Sequence, residues 1–117
     1  MSVTTGCRVH FREMLRRARE QSVLTLAATN AVIDRRDQRL ARAPLSEAGL
    51  IEHEIDQFIA EQESATLVAI YGALQVLRET PDLYGVCEEC GEPISLARLN
   101  IAPWISRCDE HAKEPVQ

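Results

Sequence analysis

Tyr84-Gly85-Val86-Cys87-Glu88-Glu89-Cys90-Gly91 is the stretch that organises this chain, and Cys108-Asp109-Glu110-His111 closes it. Two ligand pairs, each with two residues between its members, stand on either side of positions 91 to 107. A Cys-x-x-Cys repeated across an interval of that size is a zinc-site spacing, and here His111 takes the place of the last cysteine. Two ligands two residues apart can turn back onto one ion from a tight knuckle, and Gly91 lets the chain leave the first knuckle with φ > 0. Three thiolates and one imidazole make a closed structural zinc set with no position left for a reacting water. Asp109, Glu110 or a water are the alternatives to His111 as fourth ligand.

Other uses of four cysteines fit less well. Two disulfides would suit an exported chain, but Met1 to Cys7 is polar and no apolar signal segment follows it. A thioredoxin-like redox pair would sit in a βαβ pattern, which the flanking sequence does not offer. Reduced cysteines holding zinc point to the cytoplasm. Cys7-Arg8-Val9-His10 has the spacing of half a second zinc site, but nothing elsewhere completes it, so a helix-start cysteine and a surface histidine are expected.

Working outward from the finger, the 117 residues are one domain's worth of chain. Charged residues make up 26% and aromatics 4%, a balance that suits long helices with a thin apolar seam. A formal charge of −5 argues against general attraction to nucleic acid, and no direct sequence-specific DNA binding is expected. No apolar run is long enough to span a membrane.

From about Val9 to about Ala41 there is no Pro or Gly, and Phe11, Leu15, Ala18, Ser22, Leu26, Thr29, Ile33 and Leu40 mark one helical face. Arg36 or Asp37 interrupts that face near its end. Ala43-Pro44-Leu45-Ser46 breaks the helix, with Ser46 as the N-cap of the next one and Glu47 in its first turn. The second helix is expected over about Glu47 to Thr80, ahead of Pro81. Its apolar positions are Leu50, Ile51, Ile55, Phe58, Ile59, Leu67, Ile70, Leu74 and Leu77. His53, isolated among acids, reads as a surface residue.

The expected fold is all-α: an antiparallel helical hairpin, or coiled coil, followed by a small zinc finger. Its parts are a leader at 1–8, the hairpin at 9–80 with its turn near 42–46, and the finger with a short tail at 81–117. The first arm is rich in arginine and the second in glutamate, so opposite charges favour pairing of the arms. Within the finger, Ile94, Leu96 and Leu99 are expected as the core of a short helix, with Trp104 as a core plug. No nucleophile with a nearby base and no phosphate-cradling glycine loop is visible, so the chain reads as a non-enzyme.

The string Y-G-x-C-x-x-C-G-x-x-I-x-x-x-R-L from Tyr84 to Leu99, followed by Ala102-Pro103 and Cys108, resembles the zinc finger of the DksA/TraR family. The hairpin ahead of it is similar to that family's coiled coil. This resemblance implies a bacterial cytoplasmic transcription regulator that binds RNA polymerase by inserting its coiled coil through the secondary channel. It also implies action alongside the alarmone ppGpp. The acidic D-x-x-D-x-A motif that well-studied members carry at the hairpin tip falls on Pro44, Glu47 and Gly49, where only Glu47 keeps the charge. Asp34 and Asp37 have the D-x-x-D spacing but lie on the first helix, ahead of the turn. The helix that usually follows the finger has no expected counterpart before Gln117, and His111 stands where the family has a cysteine. A monomer is expected. The alternatives are a zinc-stabilised coiled-coil interaction module that does not act on polymerase, and a thiol redox sensor that releases zinc when Cys87 and Cys90 are oxidised.

Overall fold

A computed structural model describes residues 5–40, 42–44 and 46–111. Within them the elements are α1 (Thr5–Leu40), α2 (Glu47–Glu79), a 3₁₀ turn (Pro81–Leu83) and α3 (Leu96–Ile101). No strand is formed among the described residues; one isolated antiparallel bridge joins Val86 to Pro93. The architecture is therefore all-α, two long helices followed by a finger. Residues 5–8, read from the sequence as leader, belong to α1. Residues 1–4 of that leader, Ala41 and Leu45 near the turn, and the tail at 112–117 lie outside the described residues.

The helix boundaries follow local chemistry. Ser46 accepts a hydrogen bond at its Oγ from the Gly49 N–H at 3.1 Å, satisfying one of the free donors of the first turn of α2. Glu47 adds a negative charge where the helix dipole is positive. Pro81, at the start of the 3₁₀ turn, cannot continue α2, and the Thr80 N–H closes its last turn on the Val76 carbonyl.

The chain divides into two compact units, one of residues 1–19 with 68–117 and one of residues 20–67. The first holds the main apolar core. Phe11 and Leu15 of α1 meet Ile70 and Leu77 of α2, and Tyr84, Cys87, Ile94 and Leu99 of the finger complete the cluster. Leu15, Ile70 and Leu99 are wholly removed from solvent. The phenol of Tyr84 packs against Phe11, with ring centroids 5.7 Å apart, and its hydroxyl donates to the Pro103 carbonyl at 2.8 Å. Burial raises the pKa of that phenol, keeping it a donor. Arg8 reaches Asp82 at 2.8 Å, joining the start of α1 to the 3₁₀ turn. Cys7 packs at the edge of the same core, consistent with a helix-start cysteine. Trp104 also packs against this core but stays partly exposed, and Leu96, expected inside, is 51% exposed. Its place at the first position of α3 turns it outward, while Ile94 and Leu99 fill the interior.

In the second unit the seam is built differently. On α1 the protected positions are Ser22, Thr25, Leu26, Thr29, Val32, Ile33, Arg36 and Leu40, close to the face read from the sequence. On α2 they are Gly49, His53, Asp56, Ala60, Glu63, Thr66 and Leu67, and all but Thr66 follow the alternation of four and three residues typical of a coiled-coil seam. Leu50, Ile51, Ile55, Phe58 and Ile59, expected on the apolar face, are exposed. The physical reason is register: continuing the seam back from Leu67 in steps of four and three passes between these large side chains and lands on small or polar ones. His53, expected at the surface, is in the seam with its Nε2 3.5 Å from Asp37 Oδ1. Arg36 is the centre of the cross-arm charges, with its guanidinium 2.7 Å from Asp56 and 4.0 Å from Glu52. Among the described residues, the expected attraction between a basic and an acidic arm is thus concentrated on Arg36, while the His53–Asp37 contact sets an acid of α1 beside a ring of α2.

A buried pair of this kind costs most when only one member is removed. Asp56→Leu, which leaves the buried Arg36 with its distant Glu52 contact alone, is expected to lower stability to urea by about 3 kcal/mol. The double substitution Arg36→Met with Asp56→Leu is expected to return to within about 1 kcal/mol of the parent. Equal losses in the single and double variants would show that the pair does not act as a unit.

Candidate metal centre

The finger is folded by two backbone knuckles. Gly85 at φ 81° turns the chain into the first, so that Ile94 N–H bonds back to the Gly85 carbonyl at 2.8 Å. After Cys87, the Gly91 N–H closes a turn on the Cys87 carbonyl at 2.9 Å, and the Cys87 N–H takes the Glu92 carbonyl at 2.8 Å. Gly91 at φ 76° makes the exit, a conformation that disfavours a side chain even where there is space for one. The second knuckle is closed by His111 N–H on the Cys108 carbonyl at 3.0 Å. The two are tied by Glu88 N–H to the Ser106 carbonyl at 2.9 Å.

These turns bring Cys87, Cys90, Cys108 and His111 together, with all four donor atoms within 4.8 Å of one another. Cys90 Sγ lies 3.7 Å from Cys108 Sγ. The His111 ring presents Nδ1 to the sulfurs, 3.8 Å from Cys87 and 3.2 Å from Cys108. A tetrahedral zinc with bonds of about 2.3 Å to sulfur and 2.0–2.1 Å to nitrogen requires S···S separations of about 3.8 Å and S···N of about 3.5 Å. The donor set fits a zinc ion in both chemistry and spacing. Asp109 does not compete for the fourth position: its carboxylate pairs with Arg98 at 2.9 Å.

The peptide environment also favours thiolates. Burial pushes the Cys87 thiol up, but the backbone N–H groups of Cys108, Cys90 and Glu89 outweigh it and bring the group below the ordinary thiol value. Burial likewise opposes ionisation of Cys108, and the His111 backbone N–H and the two neighbouring thiols reverse it. At Cys90 the Glu92 N–H favours the thiolate, while burial and the thiols of Cys108 and Cys87 prevail and push it up to about 11. Three sulfurs this close resist sharing three negative charges, and a divalent cation between them relieves that repulsion.

Arg98, which the sequence reading gave no part in the site, holds the second knuckle. It sits on α3, whose N-cap Ser95 accepts from the Arg98 N–H at 3.3 Å. Its guanidinium donates to the Arg107 carbonyl at 3.1 Å and pairs with Asp109, so one side chain grips both flanks of Cys108. Arg107 in turn reaches Glu88 at 3.2 Å and Glu89 at 3.5 Å, between the first pair of ligands. The signal available in the sequence was the Arg98 of the family string.

The family model of the prokaryotic dksA/traR C4-type zinc finger matches residues 83–110. The structure of transcription factor DksA2 from Pseudomonas aeruginosa is similar over 91% of this chain and 80% of that one, with 26% identity and a TM-score of 0.69. Residues 83–110 thus form a finger of the dksA/traR type, on a chain whose fold is similar to that of DksA2. No curated protein matches it in a sequence comparison. Structural zinc is thus supported twice, by this DksA/TraR finger and by the donor cluster. Where the matched finger is of the C4 type, this chain brings a histidine ring to the cluster, one residue beyond the matched segment.

The other residues singled out in the sequence are not part of this cluster. Pro44 and Glu47 are exposed at the turn, Gly49 is half-buried in the seam, Asp34 is exposed on α1, and Asp37 meets His53.

Arg98→Ala is expected to weaken zinc binding about 10- to 100-fold, because it frees both flanks of Cys108 while leaving every donor in place. Competition with a chromogenic chelator measures this. An unchanged zinc affinity would remove Arg98 from the role.

Proposed function

We propose that the chain is a DksA-like transcription regulator that binds bacterial RNA polymerase through its secondary channel. Zinc, held by Cys87, Cys90, Cys108 and His111, fixes the fold of the finger and does no chemistry of its own. The observation that carries the reading is the combination of a DksA/TraR finger with two long paired helices over nearly the whole chain. The protein acts by occupying a site on a partner rather than by catalysis, in the cytoplasm, with ppGpp as an indirect collaborator. A closed set of three thiolates and an imidazole suits that role, since it leaves no coordination position for a substrate. No helix of the described residues is long and apolar enough to cross a membrane.

The tip residues give the proposal its finer content. Pro44, Glu47 and Gly49 stand where an acidic motif is expected by resemblance, and only Glu47 carries charge. Asp34 and Asp37 carry the D-x-x-D spacing on α1 instead, and Asp37 also meets His53. We therefore assign this member a polymerase-binding role without the promoter effect of an acidic tip.

In a pull-down or native mass spectrum with purified bacterial RNA polymerase, the zinc-loaded chain is expected to bind, and absence of binding would overturn the reading. In transcription assays, Pro44→Asp with Glu47→Asp and Gly49→Ala is expected to introduce an acidic-tip effect that the parent lacks. Identical promoter effects before and after those changes would contradict the tip assignment.

A further inference from the structure

Between Glu47 and Glu63, α2 carries two faces of opposite character. The face toward α1 holds Gly49, His53, Asp56, Ala60 and Glu63. The face away from it holds Ile51, Ile55, Phe58 and Ile59, which are 54%, 52%, 60% and 40% exposed. Their spacing, i, i+4, i+7 and i+8, places them on one continuous stripe. Scattered exposed aliphatics are ordinary, but a contiguous row of four large ones rimmed by charge marks an interaction surface. The residues that would normally seal a hairpin are here turned out of it.

The charge around the stripe says what covers it. Glu47, Glu54 and Glu61 recur every seven residues along one edge, and Glu52 lies at the other. From Glu47 to Glu63 the helix has no Lys or Arg. Asp56 and Glu52 both lie against Arg36, so Glu47, Glu54 and Glu61 are the acids left to face a partner. A second copy docked antiparallel through the same face would set the Glu47, Glu54 and Glu61 edge against its own copy, an arrangement that like-charge repulsion disfavours. A helix with apolar residues at i, i+3 or i+4 and i+7, and Lys or Arg along its sides, satisfies both the stripe and its rims.

We propose that the outward face of α2, centred on Ile55 and Phe58, is a docking surface for a basic amphipathic helical segment of a partner protein. It is separate from the zinc cluster and does not depend on the polymerase reading. Apolar side chains supply the contact area, and the glutamates select the sign of the partner's charge.

Two synthetic helical peptides test this, with leucines at the same heptad positions and either Lys/Arg or Glu at the flanking ones. Fluorescence anisotropy against the full zinc-loaded chain is expected to show binding of the basic peptide, weakened by salt, and none of the acidic one. Amide shifts on binding are expected to centre on residues 50–62. Ile55→Asn with Phe58→Asn is expected to lower affinity at least tenfold while helix content and zinc content stay unchanged, since both side chains are already in water. Glu54→Lys with Glu61→Lys keeps the stripe and is expected to shift preference toward the acidic peptide. Failure of the basic peptide to bind, or equal binding by the parent and the asparagine variant, would overturn the proposal. A dimer in sedimentation that the asparagine variant dissociates would assign the face to a second copy instead and overturn it as well.

Discussion

The finger depends on four donor atoms that the chain has to bring within a few ångströms of one another. No apolar core of its own could hold so short a segment; its buried residues Ile94 and Leu99 instead join a cluster that includes Phe11, Leu15, Ile70 and Leu77. Backbone hydrogen bonds shape each knuckle, and the Glu88–Ser106 bond sets one beside the other. The remaining problem is electrostatic, because three sulfurs crowded together cannot all ionise without a cation. A cation bound among them relieves that repulsion and so stabilises the folded finger. Arg98 and Arg107 tighten it from outside, each tying one knuckle to another segment of the finger.

Pairing of the helices rests on two kinds of seam. In the unit that contains the finger, large apolar residues meet and exclude water. In residues 20–67 Leu26, Val32, Ile33, Leu40 and Leu67 share the seam with small or polar groups, Ser22, Thr29, Ala60 and Gly49 among them, and a guanidinium closes on carboxylates at Arg36. Such a seam gains less from burial, and its buried ion pair is a register device more than a source of stability. The apolar material of the same stretch of α2 is placed outward, where it is available to a partner.

Much of the architecture was legible in the residues. Cysteine spacing fixes the metal site because two-residue knuckles have few geometries, and Pro44 with Ser46 marks a helix end and a helix start. The face of α1 could be followed from Phe11 to Leu40 because its apolar residues keep one period. On α2 the same method follows the largest side chains, and Ile51, Ile55, Phe58 and Ile59 are periodic too. They lie on a second face, and only the partner helix reveals which of the two is used. That is also why His53 read as a surface residue, while its position in the seam follows from the register set by Leu67 and Ile70. Arg98 escaped notice as a support of the site because its targets, the Arg107 carbonyl and Asp109, come close only once both knuckles are formed.

The most direct measurement is the absorption spectrum of the cobalt-substituted protein, since the visible bands of tetrahedral Co²⁺ report how many sulfurs surround it. With Cys87, Cys90, Cys108 and His111 as ligands, the parent is expected to give the bands of three sulfurs and one nitrogen. His111→Cys should move those bands to the four-sulfur pattern while keeping one metal per chain. A four-sulfur spectrum in the parent, or a spectrum indifferent to replacement of His111, would contradict the assignment of this centre.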